Sequence, residues 1–141
     1  FIDVVLGSKS PYLNDVKQQA LAHPLRVSVS TDVNNMAERM LNADLSIGAG
    51  GTTTWERCCL GLPSLIINVA KNQSVISTMV KKVGAVIYLG DAENFKKNIL
   101  INNMQQILKE KSLLKTMSDH GFNIVDGKGT SRVIDCMRLI N

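Results

Sequence analysis

Residues 43–63 read ADLSIGAGGTTTWERCCLGLP, and the order of features in this stretch decides the fold class. Ala43–Ile47 is a short apolar run with the length of a buried strand. It stops at Gly48-Ala49-Gly50-Gly51, and three threonines then open a run that ends at Gly61-Leu62-Pro63. A glycine just past the last periodic residue, with proline beyond it, is the C-terminal signal of a helix. The stretch reads as a strand, a glycine turn and a helix. Backbone N–H groups at the start of such a helix lack internal partners and sit at the positive end of its dipole. Glycines let an anion come close to them, so the geometry suits a phosphate, most simply that of a nucleotide. A tight strand-to-helix turn with no ligand accounts for the same residues and stays open.

Residues that do not occur narrow the nucleotide. A dinucleotide fingerprint needs Gly-x-Gly-x-x-Gly and an acidic residue closing the next strand. Gly48 and Gly50 would require glycine where Thr53 stands, and the strand that follows ends in Asn68, Val69 and Ala70. A P-loop needs Gly-Lys-Ser/Thr, yet no lysine follows Gly51 until Lys71. Glu56 carries two readings. Thr53-Thr54-Trp55-Glu56 fits a capping box, in which Glu56 reaches back to the first N–H of the helix. The same side chain, one turn into the helix, is long enough to reach a ribose hydroxyl beside a bound phosphate.

Outward from this stretch the chain alternates strands and helices. Phe1–Leu6 reads as a buried strand, Gly7–Pro11 as a turn, and Leu13–Ala22 as a helix with Leu13, Val16, Ala20 and Leu21 inward, ended by His23-Pro24. Leu25–Ser30 is a second strand, and Asp32–Asn35 a loop leading to a helix that buries Met36, Ala37, Met40 and Leu41. After the central stretch come a strand over Ser64–Val69 and a helix near Ser74–Val83 with Ile76, Met79, Val80 and Val83 inward. A strand over Ala85–Leu89 follows Gly84. Beyond Gly90 the pattern is helical. Asn94–Lys111 buries Phe95, Ile99, Leu100, Met104, Ile107 and Leu108, and Ser112–His120 is a short helix. Asp126–Gly129 turns, and Thr130 or Ser131 caps a last helix with Val133, Met137 and Ile140 inward. Alternation of this kind predicts one α/β, Rossmann-like domain over residues 1–141, a parallel sheet with helices on both faces. The chain opens on Phe inside apparent structure, and we read it as a piece of a longer protein.

Composition excludes some function classes. A net charge of +4 permits anionic ligands, but the lysines fall in pairs and singles along helix faces, and 4% aromatics supply no stacking platform for nucleic acid. No apolar run approaches the roughly 20 residues of a membrane span. Cys58, Cys59 and Cys136 have no metal-ligand spacing with His23 or His120, and unspaced cysteines suit a reducing, cytoplasmic setting. No metal or cofactor is expected.

The segment ADLSIGAGGTTTWERCCLGLPSLIINVAKNQ, with the upstream Val33-Asn34-Asn35-Met36-Ala37-Glu38, resembles the C-terminal half of the UDP-sugar hydrolases of pseudaminic acid biosynthesis and the related spore-coat polysaccharide proteins. That family shares a two-domain, GT-B-type architecture with nucleotide-sugar glycosyltransferases. The resemblance implies that Val33 and Asn34 hold uracil, that Gly50, Gly51, Thr52 and Thr53 take the diphosphate, that Glu56 takes the ribose, and that Asn72 and Gln73 face the sugar. Apart from the resemblance, Val33-Asn34 reads as a loop start and Asn72 as a helix N-cap. The turns after Ser30, Ile47 and Val69 all leave carboxyl ends of strands, where ligands of such sheets sit.

The resemblance also implies two absences. The family's catalytic histidine belongs to its N-terminal domain, and neither His23 nor His120 lies in a matching motif, so this chain is expected to carry no catalytic base and to be inactive alone. IDVVLGS with Leu13-Asn14-Asp15-Val16 matches the family's second C-domain strand and helix, which leaves its first strand, ordinarily central, without a counterpart. The implied protein is a hydrolase that frees a diacetamido-trideoxy sugar from UDP-sugar. A glycosyltransferase using the same UDP half, or a binding or scaffold module without catalysis, are the alternatives.

Overall fold

The computed structural model describes residues 1–139. Its strands are β1 (Ile2–Leu6), β2 (Val27–Thr31), β3 (Ser46–Ala49), β4 (Ser64–Asn68) and β5 (Val86–Asp91). Its helices are α1 (Leu13–Ala22), α2 (Met36–Leu41), α3 (Thr53–Cys59), α4 (Ser74–Lys82), α5 (Lys97–Lys109), α6 (Ser112–Ile124) and α7 (Gly129–Leu139). Every strand pairing is parallel, as the α/β alternation requires. The strands form a two-stranded sheet, β1-β2, and a three-stranded sheet, β3-β4-β5. The chain correspondingly divides into two compact units, one ending at Met36 and the other starting at Ala37.

In the first unit β1 and β2 pair from Ile2 opposite Val27 to Leu6 opposite Thr31. A two-stranded sheet covers little of a helix face. Leu13, Val16 and Ala20 of α1 are accordingly half-buried, and Leu21, expected inward, is 82% exposed. Strand β2 starts two residues later than expected, because the Leu25 N–H donates to His23 Nδ1 at 3.1 Å and stays out of the ladder.

The second unit is layered. Strand β4 is central, and its alternate side chains point to opposite faces. On one face Ile66 packs with Val86, Cys58 and Val80, against Trp55 and Tyr88. On the other Leu65 packs with Leu89 and Ile107, against Leu45, Ile99, Leu100, Met104 and Leu114. Helices α3 and α4 thus cover one face and α5 with the start of α6 the other. Helix α3 ends in a Schellman motif, with Gly61 at φ +63°, its N–H on the Cys58 carbonyl and the Leu62 N–H on that of Arg57. Helix α4 ends the same way at Gly84. One residue extra in β5, between Tyr88 (opposite Ile66) and Asp91 (opposite Asn68), makes a bulge at Leu89-Gly90.

Several sequence expectations shift. Strand β3 runs over Ser46–Ala49 instead of Ala43–Ile47, because the Asn42 and Ala43 N–H groups are still held by carbonyls of α2. In α2 only Met40 is buried, while Ala37 and Leu41 are exposed. Helix α4 turns Ser77 and Val80 to the sheet and leaves Met79 and Val83 exposed. Leu108 of α5 is exposed as well. Helix α6 continues past His120 to Ile124, because Gly121 is a close-contact position against Cys58 and no terminator. Helix α7 begins at Gly129, so neither Thr130 nor Ser131 precedes it as a cap, and Asp126 instead accepts the Lys128 N–H at 3.0 Å. Val133 and Met137 are exposed; Ile140 lies outside the described residues. Among the described residues no helix is long and apolar enough to cross a membrane.

The layering predicts a contrast between two leucines. Leu65 has no exposed surface and Leu41 is 64% exposed. Leu65→Ala is expected to lower unfolding free energy by about 2–5 kcal/mol, and Leu41→Ala by less than about 0.5 kcal/mol. Urea denaturation midpoints with unchanged slope check this, and equal losses would contradict the assigned core.

Candidate functional site

Parallel strands β3 and β4 release the chain at the same end, into the bend after Ala49 and the turn after Asn68. The Gly50 N–H donates to the Ile67 carbonyl at 2.9 Å, which carries the ladder one residue past β3. None of Gly48, Gly50 and Gly51 adopts positive φ. Their shared property is close approach. A Cβ at Gly50 would overlap Ser77 Oγ and lie 2.6 Å from Asn68 Oδ1; one at Gly48 would lie 2.6 Å from Arg57 Nη1.

Behind Gly50 runs a chain of hydrogen-bonded polar groups that starts at buried Ser77 and Asn68 and ends at exposed Asp91. Ser77 Oγ donates to Asn68 Oδ1 at 2.5 Å, and Asn68 Nδ2 donates to Tyr88 OH at 3.1 Å and Ser74 Oγ at 3.4 Å. Tyr88 OH donates to Asp91 Oδ1 at 2.7 Å, a carboxylate that the β5 bulge brings within reach. Desolvation, with Asp91 alongside, pushes the Tyr88 phenol up to about 12, so it remains a neutral donor at physiological pH.

In front of Gly50 the sequence expectation is refined. The Gly50 N–H is taken by Ile67, and the Gly51 N–H donates to Thr54 Oγ1 at 3.2 Å. Thr54 and Trp55 return N–H bonds to the carbonyls of Gly51 and Thr52 at 2.9 Å. The main-chain N–H groups of Thr52 and Thr53 have no protein partner among the described residues, and both threonines are exposed. Thr54 therefore performs the reach-back that a capping box would give to Glu56. Thr52, the residue at the cap, makes no side-chain cap bond. Glu56 is exposed and its carboxylate makes no hydrogen bond among the described residues. It lies on the wall of a cavity of about 730 Å³ together with Met40, Trp55, Leu60, Asp126 and Arg132. Arg132 grips both oxygens of Asp126, one at 3.0 Å, and holds that carboxyl below its ordinary range. Gly50, Gly51, Thr52 and Thr53 do not line this cavity.

Gln73 stands beside the glycine bend: its Nε2 is 3.4 Å from where a Gly51 Cβ would be, and its Oε1 accepts the Val69 N–H at 2.8 Å. Asn72 is no N-cap. It sits exposed in a 3₁₀ turn, Lys71–Gln73, and Gln73 precedes α4. The structure thus brings Gln73 to the glycine bend and leaves Asn72 on the surface. Val33 and Asn34 belong to the first unit, after β2. The residue before them, Asp32, has φ +48°, a left-handed conformation uncommon outside glycine. Its carboxylate accepts the Ser8 N–H at 3.0 Å and its own N–H donates to the Leu6 carbonyl, which ties the ends of β1 and β2. His120 is half-buried, its Nδ1 unpartnered beneath Gly84.

Sequence reading missed Thr54, Arg57, Asn68, Ser77 and Tyr88 as parts of this region. On α3 the inward positions are Thr54, Arg57 and Cys58, spaced as a buried stripe is, but two of the three are polar and hydrophobic periodicity does not register them.

The sequence profile of the glycosyltransferase family 28 C-terminal domain matches residues 2–129. The chain is 32% identical over 129 residues to the spore coat polysaccharide biosynthesis protein SpsG of Bacillus subtilis (strain 168), covering 92% of this chain and 38% of that protein. Among solved structures it matches MurG of Acinetobacter baumannii with a TM-score of 0.77 at 17% sequence identity, over 96% of this chain and 42% of that one. At that identity the likeness shows the fold, Rossmann-like α/β. The chain spans less than half the length of each of these proteins.

Two outcomes follow from the geometry. Gly50→Ala is expected to cost about 1–3 kcal/mol by overpacking. Combination with Ser77→Ala should recover part of that cost, a coupling that a double-mutant cycle of unfolding free energies measures; strict additivity would show that the two do not touch. The Asp32 carboxyl is held below its ordinary range, first by the Ser8 hydroxyl and then by the Ser8 N–H. A depressed carboxyl stabilises the fold above its unfolded pKa, and that contribution fades as pH falls through the folded value. Ser8→Ala should raise the Asp32 midpoint toward the ordinary carboxylate value in an NMR titration; an unmoved midpoint would assign the shift elsewhere.

Proposed function

The chain belongs to the glycosyltransferase family 28 C-terminal domain family, and from that premise we propose that residues 1–141 are the UDP-binding domain of a longer UDP-sugar hydrolase, one that releases UDP and a free diacetamido-trideoxy sugar for pseudaminic acid or surface polysaccharide biosynthesis. The observation that carries the reading is the bend after β3. Its Thr52 and Thr53 N–H groups have no protein partner among the described residues, in a bend that Arg57 bonds on both sides and that Asn68 and Ser77 crowd at Gly50. Preorganised donors of this kind suit a leaving diphosphate, because they stabilise charge as it develops without reorganising. Gly50 and Gly51 then serve by close packing and lack of side chain, and Thr52 and Thr53 by donating.

In this reading Glu56, released from any capping duty, accepts the ribose hydroxyls. Asn72 and Gln73 face the sugar, with the Gln73 amide beside Gly51. Val33 and Asn34 pair with the uracil edge through their backbone. The general base that activates water is supplied by another domain of the longer protein. His23 Nδ1 accepts a main-chain N–H, and His120 Nδ1 is buried under Gly84, which supports neither as that base. We place the protein in the cytoplasm, where UDP-sugars are made and used.

The family description and the SpsG relative also support a glycosyltransferase, in which an acceptor hydroxyl replaces water. Product analysis separates the two: free sugar without an acceptor identifies the hydrolase, and turnover that requires an added acceptor identifies the transferase.

Calorimetric titration of the full-length protein tests the shared premise. UDP is expected to bind more tightly than ADP. Glu56→Gln should weaken UDP by about 1–3 kcal/mol through loss of charge-assisted bonds to the ribose, with little change in melting temperature. Equal affinity for UDP and ADP would leave the glycine bend a purely structural turn.

A further inference from the structure

Arg57 is the one charged side chain among the described residues that is buried, with 4% of its surface exposed. Every acceptor around it is neutral. Nη2 donates to the Ala49 carbonyl at 2.6 Å and to Thr54 Oγ1 at 3.3 Å, Nη1 to Ser46 Oγ at 3.3 Å, and Nε to the Thr53 carbonyl at 3.3 Å. No carboxylate lies within ion-pair distance of it among the described residues. Gly48 is the position that leaves room for the guanidinium.

Burial without a counter-ion is the expensive way to fill this space. A guanidinium does not deprotonate in a protein, so the charge remains whatever its surroundings. Burial lowers its pKa, and the neighbouring Cys58 and then Glu56 raise it by less. Replacing a buried ionic group by an apolar one of similar volume is often neutral or stabilising, so packing alone does not call for an arginine. The contacts say what the group does instead. Ala49 precedes the bend and Thr53 and Thr54 follow it, so one guanidinium bridges both arms of Gly50-Gly51-Thr52. Thr54 Oγ1, which Nη2 holds, is the acceptor of the Gly51 N–H.

We propose that Arg57 is a positioning residue for the diphosphate: it fixes both arms of the bend and keeps beside it a buried positive charge that no carboxylate ion-pairs among the described residues, for which the bound anion is the counter-charge. The inference rests on the nucleotide reading above and adds to it a residue that does not touch the ligand. Arg57 acts through the Ala49 and Thr53 carbonyls and through the low dielectric in which its field is weakly screened. Its effect scales with the charge of the ligand, so it separates uridine from UDP, where a residue that merely holds the fold affects both alike.

The test uses the full-length protein and the ratio of uridine to UDP dissociation constants. In Arg57→Gln the ratio is expected to fall about ten-fold or more, with uridine affinity little changed. Loss of affinity for both ligands in equal proportion would overturn the proposal and leave Arg57 a structural residue. Arg57→Lys keeps the inference testable if the glutamine variant does not fold. A lysine buried here has a lowered pKa, so its charge is removed as pH rises from about 7 to about 9, while arginine keeps its own. The groups facing this position that titrate are Glu56 and Cys58, and both are present in the parent protein as well. The ratio should fall with pH in Arg57→Lys and stay level in the parent; parallel pH courses would overturn the proposal. A parent protein that binds uridine and UDP equally would remove the diphosphate reading itself, and this inference with it.

Discussion

Gly50 lies against Asn68 and Ser77 so closely that a single methyl group has no room. Much of the second unit follows from that approach. To bring the end of β3 over the end of β4, α4 must present a small polar side chain, and Ser77 occupies the inward position that apolar periodicity assigns to its neighbours. Asn68, buried at the end of the central strand, then needs partners on both sides of its amide, because an unpaired polar group in a low-dielectric interior is costly. Ser77 satisfies the oxygen; Ser74 and Tyr88 satisfy the nitrogen. Tyr88 passes the bond on to Asp91, which the bulge at Leu89-Gly90 brings within reach.

Two different chemistries cover the two faces of this sheet. Helix α5 contributes Ile99, Leu100, Met104 and Ile107 to an apolar cluster around Leu65, where area removed from water is the stabilising quantity. Helix α3 brings Thr54 and Arg57 inward beside Cys58, whose thiol burial pushes upward. On that side hydrogen-bond direction matters more than area. The bend between β3 and α3 is held by defined donors and acceptors and cannot slide as an apolar contact can. The Thr52 and Thr53 N–H groups, without protein partners among the described residues, belong to this held bend, and rigidity is what the anion site proposed above requires.

The first unit solves a smaller problem by related means. Five residues of β1 pair with five of β2, and α1 finds only partial cover. The ends of the strands are joined by Asp32, whose left-handed backbone aims its carboxylate at Ser8 and starts the loop carrying Val33 and Asn34.

The sequence by itself determined the class of fold and the order of its parts. The apolar runs, the glycines after α3 and α4, and the spacing of Phe95, Ile99, Leu100, Met104 and Ile107 are local signals, since each depends on neighbours within a turn or two of chain. They place α1 to the residue and most other elements within three residues of their observed ends. The ordered set around GAGGTTTWERCCLGLP likewise marked the candidate site. Tertiary structure alone decided what the glycines are for. Gly48 and Gly50 are required by Arg57, Asn68 and Ser77, two of which lie eighteen and twenty-seven positions beyond Gly50. It also decided that Thr54, and not Glu56, receives the N–H at the head of α3, and that Leu21, Met79, Val133 and Met137 remain exposed. The reason is physical: close approach, buried charge and the satisfaction of an amide are set by atoms that meet only after the strands have paired.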